Sequence, residues 1–316
     1  MIRLSAGTAA CLGITATRMD AYPTTAYLLS GKNCQMSCAF CPQGMGGNEA
    51  LKRLGRVTWP EYDWPLVKEA LVNAEQKKLE RLCLQSVRHK DGIEMLLEQI
   101  ADIRKATVLP LSLSAWIEDE NEAAALFRAG VQRISIALDV INPQAYEQIK
   151  GGSQQAKLDL LLRCADLFPE RMVTHLICGL GESEAEALQM IDRLVQVGIT
   201  VALFAFVPLR GSKLADHQPP ALDAYRRVQA GYHLIKNRIA AFDKFRFTEG
   251  RLVSYGLPKE ELRIALSDGG AFRTSGCPGC NRPYYNERPG GLIYNYHHPL
   301  SEEETKEAFK TLNIKG

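Results

Sequence analysis

Six short apolar runs punctuate the middle of the chain: Thr25–Leu29, Arg81–Ser86, Leu111–Ser114, Arg133–Asp139, Met172–Cys178 and Val201–Val207. Each reads as a strand apolar on both faces, as parallel strands covered by helices should be. Between them the spacing turns helical. One helix is predicted to start at Thr58-Trp59-Pro60-Glu61, which has capping-box spacing and a proline in the first turn. Others open at Asn142-Pro143, run over 183–197 and run over 221–240. Two helix-to-strand joints look alike, with Gly130 and Gly198 placed to take the left-handed conformation that stops a helix before a strand. The repetition predicts successive βα units. Six such strands predict an α/β fold built as a partial (β/α)6 TIM-type barrel, open on one side; a doubly wound open sheet is the alternative.

Past about Leu222 the character changes to a Gly-, Pro- and Tyr-rich tail. No flexible linker precedes it, so it is predicted to pack over the open side of the barrel. Ser301-Glu302-Glu303-Glu304 then caps a short final helix. The expected divisions are an N-terminal segment over 1–23, the barrel over 24–240 and a C-terminal extension over 241–316.

The 316 residues are 46% hydrophobic, ample for one sizeable core. With 38 basic and 36 acidic residues the formal charge is +2, which predicts no nucleic-acid partner. No apolar run approaches the roughly 18 residues of a membrane span, so no membrane partner is expected. Arg3 and the small residues up to Cys11 imitate a lipoprotein signal, but Gly7 and Thr8 stand where its apolar region should be. Nine cysteines, an odd number without a secretion signal, point to a cytoplasmic, reducing setting and to metal ligation rather than disulfides.

Three of them, Cys34, Cys38 and Cys41, fall within eight residues just after the first strand. Three thiolates on one short loop can hold three irons of a [4Fe–4S] cluster and leave the fourth open. The bland readings are a structural zinc site, which favours C-x2-C pairs and four ligands, or incidental cysteines. A second set, Cys277-Pro278-Gly279-Cys280, forms a two-ligand knuckle that would also suit half a zinc site or a redox pair. Cys83, Cys164 and Cys178 sit in strand or helix patterns and read as core residues. Cys11 stands apart, in a segment with no packing reason to carry a thiol. That leads to the expectation that Cys11, Cys277 and Cys280 bind a second [4Fe–4S] cluster.

The Cys34-x3-Cys38-x-Phe40-Cys41 loop resembles the motif of the radical S-adenosylmethionine superfamily. That resemblance implies S-adenosylmethionine at the open iron, with Phe40 against its adenine. Arg133 to Asp139 is similar to the family's fourth strand, which puts Ser135 and Asp139 toward the ribose or methionine part; Asp139 could equally serve as a cap or salt-bridge partner. Leu176 to Glu182, including Ile177, resembles the glycine motif that supports the adenine. Val207 to Ser212 resembles the sixth-strand end of biotin-synthase-like members. The second strand lacks the Gly-Gly-Glu that often receives the methionine amino group, so Gln85 or Ser86 would stand in.

With a second cysteine set, the chain also resembles the two-component lipoyl synthases. Their activity would be sulfur insertion at C6 or C8 of an octanoyl chain, with the auxiliary cluster as the sulfur source. The implied partners are an octanoylated lipoyl carrier domain or H-protein-like carrier, a paralogous radical protein, and an electron donor such as ferredoxin. Arg273-Thr274-Ser275 is similar to a segment whose serine binds the labile iron, which makes Ser275 a catalytic candidate, with a turn-forming serine as the plain alternative. Tyr284, Tyr285, Asn286, Arg288, Tyr294, Tyr296, His297 and His298 would line the substrate mouth, dock a carrier or simply cover the barrel. The rival functions are another radical reaction (biotin-synthase-like, methylating or rearranging) and a non-catalytic zinc-binding protein.

Overall fold

The computed structural model describes residues 1–45, 53–72, 74–90, 92–287 and 290–314. Its strands in chain order are β1 (Ile2–Leu4), β2 (Thr25–Ser30), β3 (Arg53–Leu54), β4 (Val57–Thr58), β5 (Glu61–Tyr62), β6 (Arg81–Ser86), β7 (Leu111–Ser114), β8 (Arg133–Ser135), β9 (Met172–Cys178), β10 (Thr200–Ala205), β11 (Arg246–Thr248) and β12 (Arg251–Ser254). Eight of these form one sheet in the order β10-β9-β8-β7-β6-β2-β1-β5. The six from β2 to β10 are parallel to their neighbours, and β1 and β5 add antiparallel at the β2 edge. The parallel strands follow chain order without reversal. A doubly wound sheet would reverse, so this is the partial barrel.

Period two divides each strand between two environments. Leu28, Leu82, Leu84, Leu111, Ile134, Leu176 and Leu203 face outward and share one buried core with helix residues such as Ile100, Leu126, Leu161 and Leu188. The inner face differs from the sequence expectation: it carries Cys83, Gln85, Ser112, Arg133 and His175 and lines a cavity. The strands are therefore apolar throughout on the helix side and mixed on the inner side, where Leu29, Val173, Ile177 and Phe204 stand among these polar groups.

Helix boundaries follow their caps. Asn142 caps Pro143–Ile149, Ser183 opens Glu184–Gln196 in a full capping box, and Ser301 does the same for Glu302–Thr311. Gly130 and Gly198 take φ of 105° and 73°, the left-handed stops read from the sequence. The helix predicted from Thr58 does not form there. Thr58 and Glu61 end up in β4 and β5, Trp59 is buried, and the helix begins at Trp64. Leu4 N–H donates to Pro60 O, which holds that stretch extended against β1. The long helix runs over Leu222–Lys236, shorter than expected at its C-terminal end. Among the described residues no helix is long and apolar enough to cross a membrane.

The tail closes what the sheet leaves open. β10 ends the sheet, and its exposed edge groups find side chains from the long helix and from the tail. Tyr232 OH donates to Val201 O (2.9 Å), Leu203 N–H donates to Ser275 Oγ (2.8 Å), and Asn286 Nδ2 donates to Ala205 O (2.6 Å). The same segment reaches the opposite edge, where Thr24 N–H donates to Asn281 Oδ1 (3.0 Å) and Arg81 Nε donates to Pro278 O (3.1 Å). Residues 275–286 thus bridge β10 to β2 and β6, covering the open side as expected.

Candidate active site

The cysteine loop leaves β2 through Gly31, whose φ is +80° and whose position would drive a Cβ to 2.8 Å from Val87. It is pinned on both sides: Ala39 N–H donates to Ile149 O (2.7 Å), Gln35 N–H to Arg88 O (3.0 Å), and Leu214 N–H to Ala39 O (3.1 Å). These bonds set Cys34, Cys38 and Cys41 on the wall of a cavity of about 340 Å³ inside the barrel. Burial pushes the Cys38 thiol up to about 12, with Asp139 adding to the rise. Phe40 lines the same cavity and packs on Val140, Tyr146, Leu180 and Phe206.

Every cofactor-binding residue proposed from the sequence reaches this cavity: Phe40, Gln85, Ser135, Asp139 and Ile177. Ser135 Oγ is buried without a hydrogen-bond partner, a group that calls for a ligand. Gln85 Nε2 donates to Tyr285 OH (3.3 Å). Asp139 holds an unusual φ of +63° and pairs with Lys150 Nζ at 2.8 Å, so it acts as a salt-bridge partner at least in part. Lys150 is itself buried and also donates to Leu138 O (3.3 Å). Burial alone would lower its pKa, but Asp139 and Tyr146 outweigh this and raise it.

Sequence reasoning missed several wall residues. His175 lies on β9, edge-on to Phe204, and burial lowers its pKa to about 4, so its ring is neutral. Arg88 and Lys157 lie over the Trp116 ring at 4.2 and 3.7 Å, making a cationic rim. Glu182, in the predicted glycine motif, accepts from Gly179 and Leu180 N–H (2.6 and 3.0 Å), so it shapes the turn after β9. A signal for His175 was present: it alternates with Val173 and Ile177 on the inward face.

The second cysteine set reaches the same cavity from the other end. Cys277 Sγ lies 3.3 Å from Ser112 Oγ, and Cys280 Sγ lies 3.3 Å from Tyr27 OH, both near the N-terminal ends of their strands. Cys83, expected in the core, instead lines the cavity, whereas Cys164 and Cys178 are buried as expected. Cys11 does not line it: its thiol donates to Pro23 O (3.5 Å) at the end of the first helix, and burial lifts it to about 11. Ser275 does not line it either, since its hydroxyl serves the β10 edge. Tyr285 and Asn286 do line it, while Tyr294 and Tyr296 are buried in the core; Tyr284 OH accepts from Ala21 N–H (3.0 Å). His297 and His298 stack edge to face outside the cavity, and Arg288 lies outside the described residues.

A model of the radical SAM superfamily matches residues 28–194, over half of the chain. The chain belongs to the radical SAM superfamily. A GTP 3',8-cyclase of Hydrogenovibrio crunogenus is 25% identical over 257 residues, covering 79% of this chain and 73% of that protein. A lipoyl synthase of Geotalea uraniireducens is 28% identical over 182 residues, 54% of this chain and 59% of the relative. A biotin synthase of Streptococcus agalactiae is 26% identical over 175 residues, 54% and 51% of the two chains. The match thus spans little more than half the length of these two synthases. The solved structure of methylornithine synthase resembles this radical SAM chain with a TM-score of 0.55 at 12% identity, over 67% of this chain and 62% of that one, which speaks to fold alone. Radical SAM enzymes use a [4Fe–4S] cluster and S-adenosylmethionine, and this cavity suits both: three loop thiols for one, the orphaned Ser135 hydroxyl and an apolar wall for the other.

Proposed function

We propose that this radical SAM enzyme inserts sulfur into an unactivated C–H bond of a protein-bound octanoyl chain, as a component of a lipoyl synthase. The observation that carries the reading is one cavity with cysteines at both ends, Cys34, Cys38 and Cys41 at one and Cys277 and Cys280 at the other. When bound, the reduced first cluster and S-adenosylmethionine would supply a 5′-deoxyadenosyl radical that takes hydrogen from carbon. A second [4Fe–4S] cluster at the far end would be the sulfur donor. The chain's own part is to exclude water, orient the acyl chain between the two ends and keep charge balanced at each. Leu29, Val173, Ile177 and Phe204 provide an apolar path suited to a fatty-acyl substituent. The partners proposed are an octanoylated lipoyl carrier domain or H-protein-like carrier, a paralogous radical protein, and a ferredoxin-type electron donor.

Anaerobic turnover with octanoylated carrier, partner protein and reductant tests this, read by mass spectrometry of the carrier. Gain of sulfur is the expected result. Formation of 5′-deoxyadenosine with no sulfur gained would overturn it. A second reading is a ring-closing reaction on a nucleotide, favoured by the larger share of the chain that matches the relative named GTP 3',8-cyclase. The same assay with GTP separates the two.

A further inference from the structure

We propose that Cys83, with Cys277 and Cys280, supplies the protein ligands of the second iron–sulfur cluster, in the place the sequence assigned to Cys11. This deepens the reading above and rests on its second cluster. The register of the barrel carries the placement. Cys83 on β6 pairs directly with Tyr27 on β2 and with Ser112 on β7. Residues paired across parallel strands point to the same face, here the inner one. Tyr27 OH lies 3.3 Å from Cys280 Sγ, and Ser112 Oγ lies 3.3 Å from Cys277 Sγ. Cys83 therefore stands between the two residues that touch the knuckle's sulfurs. It also packs with Cys280 and Tyr285 on the small apolar cluster around Tyr27 and Trp59.

Charge points to an anionic occupant. Arg81 and Arg282 are buried, at 5% and 9% exposure, and Arg133 faces the same cavity. Among the described residues, no carboxylate makes an ion-pair contact with any of the three; the buried Glu287 carboxylate acts on Arg282 only from beyond contact distance. Their contacts are Pro278 O and Ser112 Oγ for Arg81, Thr200 Oγ1 for Arg133, and Leu203 O with the Phe204 ring for Arg282. Buried guanidinium groups without a carboxylate are costly next to neutral thiols. Beside three thiolates on an iron–sulfur core they are compensated. Among the described residues, no three His, Cys, Asp or Glu side chains converge as closely as a single metal ion requires. A cluster, several bonds across, spaces its thiolates more widely than zinc with its ~2.3 Å bonds to sulfur.

The test counts iron and labile sulfide in anaerobically reconstituted full-length protein whose first-site cysteines are replaced (Cys34→Ala, Cys38→Ala, Cys41→Ala). That parent is expected to keep about four irons per chain, one cluster. Adding Cys83→Ser should remove them, and adding Cys11→Ala should leave them in place. Cys83→Ser keeps the size and polarity of the side chain. Comparing its apo thermal unfolding midpoint with that of the parent separates lost ligation from lost folding; if the serine variant is unfolded, Cys83→Ala in the same background takes its place. Retention of iron in the folded Cys83→Ser protein, loss in Cys11→Ala, or a parent holding no iron would each overturn the assignment. The expected iron pattern in these variants, together with wild-type protein that adds no sulfur to an acyl carrier, would sink the sulfur-insertion reading and support the ligand set all the same.

Discussion

Ser135 and His175 show how a barrel interior keeps polar groups ready for a ligand. A hydroxyl buried without a partner has given up water and gained nothing, so removing it takes no hydrogen bond from the folded protein. Ser135→Ala should therefore leave the thermal midpoint unchanged or slightly raised. If the hydroxyl meets S-adenosylmethionine, the loss of one hydrogen bond should weaken binding by roughly 2–10-fold, read by equilibrium binding under anaerobic conditions. His175 gives a pH signature. Its folded pKa is about 4 against an ordinary value of 6.5, so between those values the unfolded chain binds a proton that the folded chain refuses. Its contribution to stability is fully present above pH 6.5 and declines as pH falls toward 4. Urea midpoints measured across that window should drop with acid, and His175→Gln should flatten the slope; an unaltered slope would show that the ring titrates normally in the fold. Cys83 was open to the same kind of reading. In Arg81-Leu82-Cys83-Leu84-Gln85 the leucines take one face and the thiol and amide the other, and buried free cysteine is common enough to have masked the pattern.

At the scale of elements, short apolar-rich runs recurring between helical stretches made β2, β6, β7 and β9 legible to within a residue, because their helix-facing positions are all apolar. The short β1 and β5 left no such run; their order comes from pairing with β2 and with each other. Thr58-Trp59-Pro60-Glu61 carries helix-start chemistry, yet burying Trp59, whose indole N–H donates to Leu54 O (3.1 Å), wins over a local cap. Tertiary burial of a large side chain outweighs the ~1 kcal/mol of a cap. The β10 edge illustrates the converse, a function read where structure suffices. Ser275 accepts from Leu203 N–H, so Ser275→Ala should destabilise the fold by about 1–2 kcal/mol through an orphaned backbone donor. Denaturant unfolding measures that cost. Iron content should match wild type, whereas loss of iron without loss of stability would return Ser275 to the metal site.

Across the whole molecule, the barrel holds two sets of thiols apart and joins them by one cavity. From the Tyr27–Cys83–Ser112 layer to the strand ends is about three residues, on the order of 10 Å, and the cysteine loop lies beyond. Between them comes the layer of Leu29, Gln85, Ser114 and Ser135, paired across β2, β6, β7 and β8. A substrate that gives hydrogen at one end and receives an atom from the other must cross this layer. Ser114 faces the cavity, and a phenyl ring there would narrow the passage while touching neither thiol set. Ser114→Phe should keep wild-type iron and sulfide, showing both ends intact. Sulfur transferred to the acyl carrier should fall at least about tenfold, a loss of ~1.4 kcal/mol in the productive complex. Cleavage of S-adenosylmethionine without sulfur transfer would mark a radical formed with no carbon in reach. Full sulfur transfer by this variant would mean that the acyl chain approaches by another route, and that the shared cavity is not where the two ends of the barrel meet their substrate.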